Sequence, residues 1–253
     1  MTRPLIAAAV TALAASTLMA TPAAATAKTS AKTSAKTQTI YGYAWADGSN
    51  HLRITPAKAR LVTQHGVRRY QLTTVAGAKE RRIFTDGVRF RRITTACDLK
   101  ETEGRIRQDK KGLGTTDCDA LDLKFVLSLG PAPVKITITP SLTTVAEFLA
   151  VPTNPVTAYG TMKRVDDRTV LFKRPGKAAV KLRYTHLGFN RVTKSCSDGW
   201  TANVPNEDAG IGTKPCSATA FRNAIRHAGP VTVKAYYQPV SGHLWEVWEA
   251  LGD

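Results

Sequence analysis

The chain has 253 residues, 43% of them hydrophobic, and carries 36 Lys and Arg against 19 Asp and Glu, a formal charge of +17. No stretch beyond residue 18 is apolar enough to cross a bilayer as a helix, which excludes a protein of several transmembrane helices. Four cysteines, with no Cys-x-x-Cys and no histidine at ligand spacing from a pair, exclude the common zinc frameworks.

At the N-terminus, Arg3 precedes an alanine-rich apolar run over 5–18 and small residues around Pro22, the pattern of a secretory signal over residues 1–27. Ala23-Ala24-Ala25 and Ala25-Thr26-Ala27 both fit the cleavage rule. The run is too short and too interrupted by Thr and Ser for a transmembrane anchor, so the expected location is secreted or extracellular, either released or loosely held on a cell wall. Residues 28–39 repeat Lys-Thr-Ser-Ala without a large apolar side chain and read as a disordered tether.

A first unit is expected over 40–150. Strands at 40–44 and 51–55 flank Asp47-Gly48. Further strands at 70–75, 81–84 and 88–93 follow, the last two around Asp86-Gly87, which reads as an extra basic hairpin spanning about 62–89. After a glycine-bearing loop, Asp119 starts a helix with Leu121, Phe125 and Leu129 along one face, and Gly130-Pro131 stops it. Strands at 134–138 and near 145–147 close the unit.

A second unit is expected over 156–253, with strands at 156–164 and 169–173. A helix capped by Ser217 carries Phe221, Ala224, Ile225 and Ala228 on one face and ends at Gly229-Pro230. Strands at 231–236 and up to 248–249 complete it. Trp245 and Trp248, three apart, should face opposite sides of the last strand.

The two units share residues in one order. The block Phe90 to Cys97 returns at Phe189 to Cys196, Gly112-Leu113-Gly114-Thr115 returns at Gly210-Ile211-Gly212-Thr213, and Gly130-Pro131 at Gly229-Pro230, displaced by 98 or 99 residues. Each unit owns one cysteine pair, so the expected disulfides are Cys97 with Cys118 and Cys196 with Cys216, each contributing about 3 kcal/mol in the chain-entropy estimate. The expected class is α+β, mainly antiparallel: two tandem homologous units, each a small sheet or partly open barrel with one helix and one disulfide. The order of strands, late helix and closing strands resembles an OB-type or thermonuclease-like barrel, a likeness of topology with no residue motif behind it.

Basic residues are densest in the first unit. The candidate surface for a polyanion is Arg81, Arg82, Arg89, Arg91 and Arg92, with Arg191 as the counterpart of Arg92 in the second unit. Arg92 and Arg191 precede the same Thr-x-small-Cys step, which also suits a structural salt bridge under the disulfide loop. The Gly-x-Gly-Thr blocks lack the lysine of a P-loop and suit a sharp turn instead. The five histidines have no zinc spacing, there is no Gly-x-Ser-x-Gly elbow, and Asp98, Glu101, Glu103, Asp117, Asp119 and Asp122 read as solvated loop and helix-start carboxylates. No cofactor or metal is expected. The sequence thus points to a secreted, non-enzymatic protein that binds an anionic polymer such as teichoic acid, nucleic acid or acidic polysaccharide. The alternatives are a small nuclease-like hydrolase using Asp117, Asp119 and Arg92, and a proteinaceous inhibitor or effector.

Overall fold

Apolar side chains at every second position from Ile40 bury Ile40, Gly42 and Ala44 on one face, and Gln38–Ala46 forms a strand, β1, in the middle of a sheet. The structure is a computed structural model that describes residues 36–252; the segment read as a signal and most of that read as a tether lie outside them. Strand β1 begins two residues inside the segment read as a tether, since Gln38 and Thr39 pair with Ile138 and Thr137.

The chain continues as β2 (His51–Ile54), β3 (Ala57–Gln64), β4 (Val67–Thr74), β5 (Arg81–Phe84), β6 (Arg89–Arg92), β7 (Thr116–Cys118), α1 (Ala120–Leu129), β8 (Ala132–Ile138) and β9 (Thr143–Glu147). Then follow β10 (Val156–Asp166), β11 (Thr169–Lys173), β12 (Val180–Arg183), β13 (Gly188–Arg191), β14 (Glu207–Asp208), β15 (Ile211–Gly212), β16 (Lys214–Cys216), α2 (Ala218–His227), β17 (Val231–Gln238) and β18 (His243–Glu249). The fold is β-rich with two short helices.

Seven strands form one sheet in the order β5-β2-β1-β8-β9-β6-β7, and seven form another in the order β12-β11-β10-β17-β18-β13-β16. Within each, the pairs β6–β9 and β13–β18 are parallel and their neighbours antiparallel. In the second sheet β12 also meets β18 at Arg183 and His243, so β10, β11, β12, β18 and β17 close a five-stranded barrel. The first core gathers Leu52, Phe90, Leu123, Val134 and Ile136; the second gathers Phe172, Leu182, Phe189, Phe221 and Val233. Both expected disulfides are present, with Cα atoms 5.8 Å apart for Cys97–Cys118 and 5.7 Å for Cys196–Cys216.

Three local expectations are corrected. Strands β5 and β6 do not pair with each other across Asp86-Gly87: β5 joins β2, and β6 joins β9 and β7. The turn chemistry is right, with Gly87 at φ +72°, but a positive φ fixes only the local bend. The separate hairpin is β3–β4, in register from Ala57 opposite Thr74 to Gln64 opposite Val67. Helix α1 starts as expected, with Asp119 and Asp122 completing a capping box, yet it buries Leu123, Val126 and Leu127 while Leu121 is 70% exposed. Finally, the register between β17 and β18 shifts at Tyr236 and Tyr237, so alternation breaks there and Trp245 and Trp248 are both half-buried.

The two halves are joined by specific contacts. Trp45 Nε1 donates to Ser241 O at 3.0 Å, its ring meets His243 edge-on at 5.3 Å, and Gln238 Nε2 donates to Thr153 O at 2.6 Å. Glu80 accepts from Arg183 and pairs with Lys181 at 3.7 Å and Arg53 at 3.6 Å.

Candidate functional site

The six candidate arginines separate by burial. Arg92 is 2% exposed and Arg191 fully buried, so neither reaches a polymer, and both leave the proposed surface. Arg92 Nε pairs with Glu147 Oε2 at 3.2 Å, and its Nη1 donates to Cys97 O and Leu99 O, both at 2.6 Å. Arg191 Nε pairs with Glu249 Oε2 at 3.2 Å, and its Nη1 donates to Cys196 O at 3.0 Å and Asp198 O at 2.8 Å. Each guanidinium therefore ties the loop behind the first cysteine to the glutamate ending the last strand. In both places the next residue's amide also donates to that glutamate, from Ile93 at 3.1 Å and Val192 at 3.0 Å.

The glycine blocks serve this arrangement. Gly112 (φ +74°) and Gly210 (φ +76°) take conformations that side chains disfavour, which gives the sharp turn. Gly114 and Gly212 are required for space instead, because a Cβ there would lie 2.5 Å from the Arg92 carbonyl carbon and 2.4 Å from that of Arg191. The chain crosses directly over the backbone that carries each buried arginine.

Of the four remaining arginines, two are engaged in ion pairs. Arg82 Nε binds Asp47 at 2.6 Å, and Arg89 grips both oxygens of Asp117 at 2.7 and 3.0 Å, which holds the Asp117 carboxyl below the usual range. Arg81 is exposed, whereas Arg91 is half-buried opposite Asp117. Because β5 and β6 diverge, these four do not form one ribbon. The acidic residues assigned to a hydrolase do not converge either: Asp117 pairs with Arg89, Asp119 caps α1, and Arg92 is internal. Asp122 lies beside Cys97 and Cys118, but those sulfurs are joined to each other and are not thiolate ligands.

A further group of cations without ion pairs lies elsewhere. Residues 57–74 hold Lys58, Arg60, Arg68 and Arg69 and no Asp or Glu, and residues 105–111 add Arg105, Arg107, Lys110 and Lys111. Among the described residues none of these eight forms an ion pair. All but Arg69 are exposed.

Hairpin β3–β4 is fixed by its inner face. Tyr70 and Leu72 pack on Leu113, Ala146 and Phe148, and the Tyr70 ring lies 4.7 Å from Phe148 and 5.3 Å from Tyr41. Tyr70 N donates to Leu149 O at 2.7 Å, and Val151 N donates to Tyr70 O at 2.9 Å. The loop is fastened to the same hairpin: Tyr70 Oη donates to Lys111 O at 2.7 Å, and Gly112 sits so that a Cβ would be 3.1 Å from Arg68 and Leu61. Burial and the neighbouring Tyr41 raise the Tyr70 pKa, so the phenol stays a donor to Lys111. Asp109, the one acid in the loop, turns its Oδ1 inward to the amides of Lys111 and Leu113 at 2.8 and 3.0 Å. Hairpin and loop are thus fastened to each other, and both carry exposed cations. The hairpin's sequence signal was the absence of acidic residues across 57–74.

No protein-family model, curated protein or solved structure matches this chain.

Proposed function

We propose that this is an exported protein built from two homologous sheet units, the second closed into an OB-type barrel, and that it binds an anionic polymer through hairpin β3–β4 and the 105–111 loop. The observation that carries the reading is the set of eight Lys and Arg side chains, free of ion pairs among the described residues, on two segments locked together by Tyr70. A repeating polyanion gains from such a surface because each neutralised phosphate or carboxylate releases condensed counterions. Export is supported by the two disulfides and the signal-like start, and no helix among the described residues is long and apolar enough to cross a membrane. The homology of the units is supported by the matched strand order and the repeated Arg–Glu pair, and in the second unit the closed circuit β10-β11-β12-β18-β17 follows the connection order of an OB-type barrel. Partners of this chemistry are wall teichoic acid, acidic polysaccharide and extracellular nucleic acid.

The test is a titration of the disulfide-bonded protein, without residues 1–27, with lipid-free teichoic acid, polyglucuronate and single-stranded DNA at several salt concentrations. Affinity for at least one polymer falls steeply and linearly in log–log form as salt rises. Affinity independent of salt, or no binding at low salt, overturns the proposal.

A further inference from the structure

A cleft of about 490 Å³ lies between the two halves, within the roughly 300–1,000 Å³ common for small-ligand sites. Its lining includes Arg92, Glu147, Lys100, Tyr43, His243 and Trp245. What makes it a built site is a difference between the two buried ion pairs.

In the second half the pair is sealed. Both Glu249 oxygens are used: Oε2 by Arg191 Nε and Val192 N, Oε1 by Arg191 Nη2 at 3.3 Å and Thr201 N at 2.5 Å. Arg191 Nη2 also donates to Gly199 O at 2.8 Å. In the first half the loop after Cys97 provides no counterpart of Gly199 O or Thr201 N. Arg92 engages only Nε and Nη1, and Glu147 only Oε2. Arg92 Nη2 and Glu147 Oε1 therefore have no hydrogen-bond partner among the described residues, although their side chains are only 2% and 8% exposed, and both residues line the cleft. Neither atom is among the fully buried unpartnered ones, so both open onto the cleft, where water or one ligand that meets both can satisfy them.

The walls narrow the chemistry. Trp245 stands on one side, its ring 5.2 Å from Tyr236 and 5.0 Å from His243, and Leu129, Pro131 and Pro133 are apolar. Burial lowers the His243 pKa to about 4, so its ring is neutral at physiological pH. The charged groups of the lining are then Arg92, Lys100 and Glu147, which suit a neutral or singly negative ligand and disfavour a cation. A pyranose has this character: adjacent hydroxyls that both accept and donate, and a C–H face that packs on an aromatic ring.

We propose that the cleft binds one pyranose unit, with Arg92 Nη2 donating to and Glu147 Oε1 accepting from its hydroxyls, and with Trp245 against its face. The site shares no residue with the cationic hairpin and loop, so either proposal can fail alone. The unit is supplied as a free sugar or as one residue of a chain, and the test separates these.

The full disulfide-bonded protein is titrated with the methyl glycosides of glucose, N-acetylglucosamine and glucuronate, and with a tetrasaccharide of each, while tryptophan indole NMR resonances and binding heat are followed. At least one probe shifts the Trp245 resonance saturably with 1:1 stoichiometry. A monosaccharide as tight as its tetrasaccharide indicates a free sugar, and a tighter tetrasaccharide a chain. Trp245→Ala weakens binding about tenfold or more. Glu147→Gln, checked for folding by circular dichroism, also weakens it, while Trp248→Ala, outside the cleft, leaves it unchanged. If no pyranose at tens of millimolar shifts Trp245, or if folded Trp245→Ala and Glu147→Gln proteins bind like the wild type, the proposal is wrong.

Discussion

The sealed ion pair of the second half predicts a large and specific loss of stability. Arg191 and Glu249 are both 0% exposed, and the guanidinium gives Glu249 two of its four hydrogen bonds while also holding Cys196 O, Asp198 O and Gly199 O. Replacing Arg191 by Met leaves a carboxylate inside the protein with only the amides of Val192 and Thr201, and leaves the loop carbonyls of Ser195, Cys196, Asp198 and Gly199 without this donor. Removing one partner of a buried pair costs about 3–5 kcal/mol, a large share of the roughly 5–15 kcal/mol that stabilises a domain. Replacing both residues by Met removes the stranded charge, so the double variant is more stable than Arg191→Met alone. Guanidinium denaturation with the disulfides intact measures all four corners of this cycle. If Arg191→Met loses under about 1 kcal/mol, or if the double variant loses the sum of the two single changes, the ion pair is not what holds the loop to the barrel.

Other consequences follow from the same geometry. Gly212→Ala places a methyl against the Arg191 backbone and should destabilise by about 3 kcal/mol, whereas Gly210→Ala meets no atom within 4 Å and should lose only about 1–2 kcal/mol for its positive φ. Thermal melts that ranked them in reverse would contradict the close crossing. Replacing Cys196 and Cys216 together by Ser should lower stability by about 3 kcal/mol in the chain-entropy estimate, read from the denaturation midpoint. Burial and then the charge of His186 lower the His243 pKa from 6.5 to about 4. The folded state therefore prefers the neutral ring: its contribution is full above pH 6.5 and is lost as pH falls toward 4. The shift corresponds to about 3 kcal/mol, which screening at this partly exposed ring reduces to about 1–2 kcal/mol. His243→Gln should flatten the stability profile across that window, and an unchanged profile would refute the assignment.

The cysteine partners were readable because each half carries its own pair beside similar residues, Phe90 to Cys97 and Phe189 to Cys196. Helix α2 was readable for a different reason: Phe221 and Ile225 stand among polar neighbours, so its inner face is marked. Helix α1 is apolar nearly all round, and nothing local tells Leu121 from Leu123. The mispaired hairpin has the same origin, since Asp86-Gly87 bends the chain whether the flanking strands pair or part. Which partner each takes depends on β2 and on β9, far along the chain. Barrel closure through Arg183 and His243 is likewise a contact between distant segments. Arg92 and Arg191 stood out through their common place before the cysteines, but only burial reveals that they face inward. The 105–111 loop was missed because Tyr70, not its own sequence, brings it to the hairpin.

The central claim, anion binding at the hairpin and loop, is tested most directly by comparing salt dependences. Two variants are needed, one with Arg60, Arg68, Lys110 and Lys111 changed to Ala, the other with Arg81, Arg82, Arg89 and Arg91 changed to Ala. For single-stranded DNA each lost phosphate contact lowers the log–log slope by about 0.7. The first variant should bind weakly, with a slope reduced by about 2–3, and the second should retain most of the wild-type slope. Equal slopes for the first variant and the wild type, or a loss confined to the second, would contradict the account.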